Sequence, residues 1–199
     1  MREPEQHGAG AGPGAGDRDR TLIARIANAD AGALETLYRG YYGRLFRFVA
    51  RTLRRTDVAD EIINDVMYVV WEKAASYDGS SQPSTWIFGI AYNKARRFFN
   101  VADATRSLTD LPVAIEPADL RWEEAFELGD LVEKLLARLS AEQRLVIELT
   151  YYQGMHYREI AAVMNCPENT VKTRMFHARR KLGTMLDAEL SAATPGHAP

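Results

Sequence analysis

Apolar residues recur every three or four positions along most of the chain, which is the period of a helix with one buried face. Behind Asp30, Leu34, Leu37, Tyr38, Tyr41, Leu45, Phe48 and Val49 fall at that spacing, and the Asp30 carboxylate can cap the helix they define. Asp57 stands in the same relation to a second helix with the stripe Ile62, Ile63, Val66, Val69 and Val70, ending near Trp71. "SYDGSSQPS", residues 76–84, breaks the pattern with Gly, Pro and four serines and predicts a loop. Ser84 or Thr85 then opens a third helix, "WIFGIAYNKARRFFN". A helix leading to Leu139 follows later in the chain. After it, "SAEQ", residues 140–143, has the form of a capping box, in which Ser140 takes the Gln143 amide while the Gln143 side chain reaches back. Two further helices are predicted at about 156–164 and 167–188. Short alternating runs bounded by turns, the strand pattern, are missing.

These elements group into two small all-α domains on a tether. Residues 1–19 read as a disordered tail, since five of the nine positions from Gly8 to Gly16 are glycine. Residues 20–100 form a first helical block and 123–188 a second, with a linker at 101–122 that holds Pro112 and Pro117; 189–199 reads as a second tail. From Thr105 to Asp130 seven acidic residues face two basic ones, so the tether is acidic.

Composition narrows the function. Hydrophobic residues make up 46% of 199, enough for packed cores, and the net charge of −2 gives nucleic-acid binding no support in bulk. Only the distribution of charge could. Cys166 is the single cysteine, which excludes an internal disulfide and a cysteine-based zinc site and fits a reducing cytoplasm. The four histidines have no ligand spacing, and no apolar run reaches membrane-spanning length. The expectation is a cytoplasmic protein with no metal, no cofactor and no membrane insertion.

One unit does carry chemistry. "YREIAAVMNCPENTVKTRMF", residues 157–176, places small Ala161 where two helices would cross, Asn165 where a turn needs positive φ, and Val171 on the inner face of the second helix. That is helix-turn-helix spacing. Val171, Met175, Ala178 and Leu182 form the buried stripe of the second helix, and Asn169, Lys172, Thr173, Phe176, Arg179 and Arg180 lie on the other side. From Tyr157 to Gly183 there are six Lys or Arg and two acids. Lys172, Arg174 and Arg179 suit phosphates or guanine edges, and Asn169 and Thr173 suit bases or phosphates. Near the helix C-terminus, Arg180 and Lys181 also complement its dipole, so they are weaker evidence.

The residues before this unit sharpen it. "LARLSAEQRLVIELTYYQGMHYREIA" running into "TVK.R...AR..L" resembles region 4 of the sigma-70 family of bacterial transcription initiation factors. "ADEIINDVMYVVWEKAASYDGSS" followed by "STWIFGIAYNKARR" resembles region 2 of the same family. Only these two regions are present, joined by a short linker, which is the layout of extracytoplasmic-function (ECF) sigma factors. The resemblance implies a non-enzymatic subunit that binds core RNA polymerase through the β′ clamp helices and the β flap, reads promoter DNA, and answers to an anti-sigma factor. It implies −35 contacts from Asn169, Thr170, Lys172, Thr173, Arg174, Phe176, His177, Arg179 and Arg180. It implies −10 contacts and strand opening from Tyr77, Ser80, Ser81, Trp86, Tyr92, Asn93, Arg96 and Arg97, with Phe98, Phe99 and Lys94 nearby; melting needs stacking surfaces and backbone charge, and this segment has both. It places core polymerase on the acidic row Asp60, Glu61, Asn64, Asp65, Tyr68 and Glu72. Glu61 and Asn64 stand where the family usually has Asp and Gln, and His156 and Asn165 where a small cap and Gly are commoner. The competing reading is a stand-alone helix-turn-helix regulator with an N-terminal sensing or dimerisation domain. No nucleophile-base pair or phosphate loop favours an enzyme.

Overall fold

The computed structural model describes residues 14–53, 55–105, 131–132 and 134–193. Expectations for 1–13, for the tether over 106–122, for the start of the helix before Leu131, and for 194–199 lie outside the described residues. Among the described residues every regular element is helical, and the architecture is the all-α one expected. The elements are α1 (Ala15–Ile26), α2 (Ala31–Leu53), α3 (Ala59–Lys73), a 3-10 turn (Ala74–Ser76), α4 (Pro83–Thr105), α5 (Ala141–Ile147), a π turn (Glu148–Tyr152), α6 (Tyr157–Met164) and α7 (Glu168–Ala193). Residues 134–137 are also helical.

Local chemistry explains most starts and stops. Asp30 accepts the Ala33 amide at 3.0 Å and caps α2. Ser140 and Gln143 close their box at 3.2 and 3.1 Å. Pro83, whose missing amide proton costs nothing in a first turn, begins α4. Asn165 ends α6 at φ 49°, ψ 53°, in the left-handed region the turn requires. Asp57 does not cap α3: Arg55 holds it, and the helix starts behind Val58 without a side-chain cap. Helix also extends past three expected boundaries. α1 begins at Ala15, inside the stretch read as a tail, and Asp19 anchors it by accepting the Tyr41 hydroxyl at 2.6 Å. Burial, and then the Asp19 carboxylate, push the Tyr41 phenol above its ordinary pKa. α4 runs to Thr105 and α7 to Ala193, because nothing in either sequence stops a turn already propagating.

α2 is the axis of the first block. It packs against α1, α3 and α4, and Leu37, Tyr41, Leu45, Phe48 and Val49 on it are buried. Phe48 meets Phe88 of α4 edge to face at 5.2 Å and 88°, and both rings are fully buried. In the second block α5, α6 and α7 enclose Leu149, Ile160, Val163, Val171 and Met175. The two blocks do not stand apart. α6 packs along α4, α5 touches α2, and the apolar core continues through both.

Phe88→Ala removes the ring at the centre of the first block. It should lower unfolding free energy by about 3–5 kcal/mol in chemical denaturation, and Ser140→Ala, which removes one cap, by about 1 kcal/mol.

Candidate nucleic-acid and polymerase surfaces

α7 divides as its sequence predicts. Val171, Met175 and Ala178 are buried, and Leu182 packs against them. Asn169, Lys172, Thr173, Phe176, His177, Arg179 and Arg180 are exposed, and Thr170 is half-buried. Phe176 keeps 58% of its surface open to solvent although it is apolar. A shallow hollow of about 550 Å³ lies between Tyr157, Lys172, Phe176, Arg179 and Arg180, with Met175 as its floor. Two of these cations are steadied from behind. Lys172 pairs with Glu168 at 3.0 Å. Arg179 donates to the Tyr151 hydroxyl at 2.6 Å and lies over that ring at 5.7 Å. The face is thus a ridge of cationic groups around one aromatic ring, which suits phosphate pairing with base contact between.

Arg174 departs from the expected set. It sits at the border of the buried stripe, only 24% exposed, and pairs with Glu142 of α5 at 2.8 Å. Its guanidinium also lies 3.7 Å from the Cys166 sulfur. It ties the second helix of the motif to α5 rather than joining the ridge. The reason is helical phase: position 174 lies on the other side of the stripe from 172 and 179.

The expected −10 residues fall into two groups. Tyr77 and Trp86 bring their rings together at 5.0 Å where the loop meets α4, and Tyr77 donates to the Ser81 carbonyl. Gly79 takes φ +74° at the tip, and Asp78 accepts the Ser80 amide at 2.9 Å. Asn93 and Arg97 are exposed on α4. Tyr92 and Arg96 instead line a groove of about 370 Å³ opposite Asn165, Cys166, Arg174 and Glu142 of the second block. Lys94 pairs with Asp65 at 2.8 Å, and Arg55 lies over Phe98 at 5.4 Å.

Asp60, Glu61, Asn64, Asp65, Tyr68 and Glu72 are all exposed along one side of α3. Tyr68 donates to Glu72 at 2.8 Å. Sequence reasoning missed what lies beside them. Tyr38, Tyr42 and Phe46 of α2 stack in a ladder, with centroids 5.6 and 6.0 Å apart. The ladder is stitched to the acidic row: Tyr42 donates to Asp60 at 2.6 Å and Tyr38 to Asn64 at 3.3 Å. The signal was legible as aromatics at i, i+4 and i+8, but it was read as core.

Also missed were the polar contacts between the blocks. Arg51 of α2 pairs with Glu148 at 2.7 Å and lies over the Tyr152 ring at 4.1 Å. Arg44 donates to Gln153 at 3.0 Å, and Gln153 donates to Glu148 at 3.3 Å. Thr85 donates to Glu159 at 3.2 Å. The one hint was an acid, Glu148, set between Ile147 and Leu149 in an apolar run; it is 3% exposed.

The loop also makes a pH prediction. Hydrogen bonds from the Ser80 side chain, and then from its amide, hold the Asp78 carboxyl below its model value of 3.8. A depressed carboxylate adds stability above its unfolded pKa, and that contribution fades as pH falls through the folded value. Carboxyl NMR titration should therefore find Asp78 below 3.8, and Ser80→Ala should move it back up toward that value.

Comparison with known proteins gives this geometry a frame. Residues 37–105 match the model "Sigma-70 region 2" and residues 129–182 match "Sigma-70, region 4", in that order. The chain is 29% identical to the ECF RNA polymerase sigma-E factor of Escherichia coli K12, over 82% of this chain and 92% of that protein. It is 25% identical to the RNA polymerase sigma-H factor of Pseudomonas aeruginosa, over 89% and 98%. Among solved structures it is similar to CnrH in complex with the cytosolic domain of CnrY, with a TM-score of 0.63 and 27% identity over 86% of this chain and 99% of that one. It is also similar to RpoE of Bartonella quintana in complex with the anti-sigma factor NepR, with a TM-score of 0.62 and 26% identity over 77% and 96%. Two regions of one family, in order and on the fold that family adopts, make this chain a member of the sigma-70 family, of the extracytoplasmic-function type.

Proposed function

We propose that the chain is a promoter-specifying subunit of RNA polymerase, acting in the cell interior without catalytic chemistry of its own. The observation that carries this is the pairing of two surfaces on one family frame. One is the cationic ridge of α7 around exposed Phe176; the other is the exposed acidic side of α3 flanked by the Tyr38–Tyr42–Phe46 ladder. The ridge suits the −35 element, entering the major groove from the N-terminal half of α7. Lys172, Phe176 and Arg179 would be its centre, with Arg174 positioning the helix from behind. The acidic side suits a basic partner helix such as the β′ clamp helices, and the ladder adds flat apolar area where charges alone would give little affinity.

Tyr77, Trp86, Asn93 and Arg97 are the proposed −10 contacts at the loop and on the open side of α4. Region 2 is proposed to span about residues 20–100 and region 4 about 123–188. A partner of the anti-sigma class is proposed because two similar solved structures carry a bound partner and one of these is named an anti-sigma factor.

The test is reconstitution. Purified chain mixed with core RNA polymerase should co-purify with it and direct initiation from discrete sites on genomic template. If it does neither, the reading is wrong. Lys172→Ala should weaken −35 duplex binding and lower the log–log salt slope by about one while leaving the melting temperature unchanged. Glu61→Arg should weaken core binding at least severalfold and leave the full chain's duplex binding intact. The reverse pattern would overturn the assignment of the two surfaces.

A further inference from the structure

We infer that the chain locks itself closed through its two arginines on α2, with the helix-turn-helix block covering the inner side of the −10 helix. This rests on the function proposed above. Arg44 and Arg51 are seven residues apart, two turns of helix, so they share one side of α2. Both reach the same short segment of the other block. Arg51 meets Glu148 at 2.7 Å and Tyr152 at 4.1 Å, and Arg44 meets Gln153 at 3.0 Å. Gln153 in turn bonds the second oxygen of Glu148. The Glu148 side chain is 4% exposed and that of Arg51 18%. Two charges so far from solvent are stable only together, because removing one strands the other. The pair therefore behaves as a latch: made, it holds the blocks together; broken, both groups must be rehydrated by separation.

The latch has a functional cost built in. Along α4, Thr85 is buried under Glu159, and Tyr92 and Arg96 face Asn165 and Arg174 across the groove. A melted strand reaching Tyr92 or Arg96 would compete with the second block for that space. Length gives an independent argument. The −10 and −35 elements lie about 25 base pairs apart, about 85 Å of duplex at 3.4 Å per step. A closed body of about 150 residues is about 40 Å across. The closed chain therefore cannot occupy both elements. The 25 residues from 106 to 130 could bridge at most about 85 Å, so the covalent link allows the separation that promoter binding requires. The ridge of Lys172, Phe176 and Arg179 stays exposed throughout. Closure blocks promoter opening while leaving the −35 face free.

The experiment uses the full chain. Arg51→Glu and Glu148→Arg should each raise the radius of gyration in small-angle scattering, and the reciprocal double variant should bring it back. Circular dichroism confirms that helicity is kept; the milder Arg44→Ala with Gln153→Ala serves if a charge reversal fails to fold. At limiting concentration each opened variant should raise core-dependent initiation about tenfold, the gain expected where about a tenth of wild-type molecules are open. Conversely, Arg44→Cys with Gln153→Cys, in a Cys166→Ser background, should be inactive when joined by a reducible bismaleimide and recover when it is cleaved. An unchanged radius in every variant would overturn the latch, as would a joined protein that initiates as well as the cleaved one. If the cleaved protein also fails to initiate, the sigma reading fails, and the scattering still decides whether the chain closes.

Discussion

Burial of the apolar stripe of α2 is the constraint on which the rest depends. Leu37, Tyr41, Leu45, Phe48 and Val49 are covered from three directions by α1, α3 and α4. Once that stripe is inside, the remaining faces of α2 are assigned by helical geometry. The Tyr38–Tyr42–Phe46 ladder falls beside the acidic row of α3, and Arg44 and Arg51 fall toward the second block. One helix thus supplies the core, flanks the proposed polymerase surface and holds the other block. Few single elements in a chain of this size could change without affecting all three.

Much of this was legible in the sequence because it follows from period and from caps. The stripe of α7, the Ser140 box, the Asp30 cap and the left-handed Asn165 turn depend on residues within one or two turns of each other. The boundaries at Asp19, Asn100 and Ala188 were less legible, since helix propagation continues until something stops it and polar residues do not. Asp57 misled for a different reason: a carboxylate that could cap a helix could equally pair with an arginine two residues before it, and Arg55 won.

The surfaces divide in the same way. Exposure of Lys172, Phe176 and Arg179 follows from phase around α7 alone. The position of Arg174 depends on Glu142, thirty-two residues earlier, and the orientation of Tyr92 and Arg96 depends on a block sixty and more residues later. Such long-range pairings leave no periodic trace. The sequence contained one clue, an acid inside an apolar run at Glu148, and an acid in that setting calls for a partner. Which partner is a tertiary fact.

The π turn at Glu148–Tyr152 has a consequence for how the chain tolerates change in length. Its bonds run five residues back, as from the Gln153 amide to the Glu148 carbonyl at 3.2 Å. A π turn is an α-helix carrying one additional residue. Deleting Thr150 would heal the helix and rotate everything after it by about 100° relative to what precedes it. Glu148 would stay beneath Arg51, while Tyr152 and Gln153 would swing away from α2 and Tyr151 away from Arg179. A connecting loop absorbs a lost residue by slack. Here the same loss would uncouple the proposed latch from the proposed reading helix in one step, which makes these five positions the least forgiving place in the second block for an insertion or deletion.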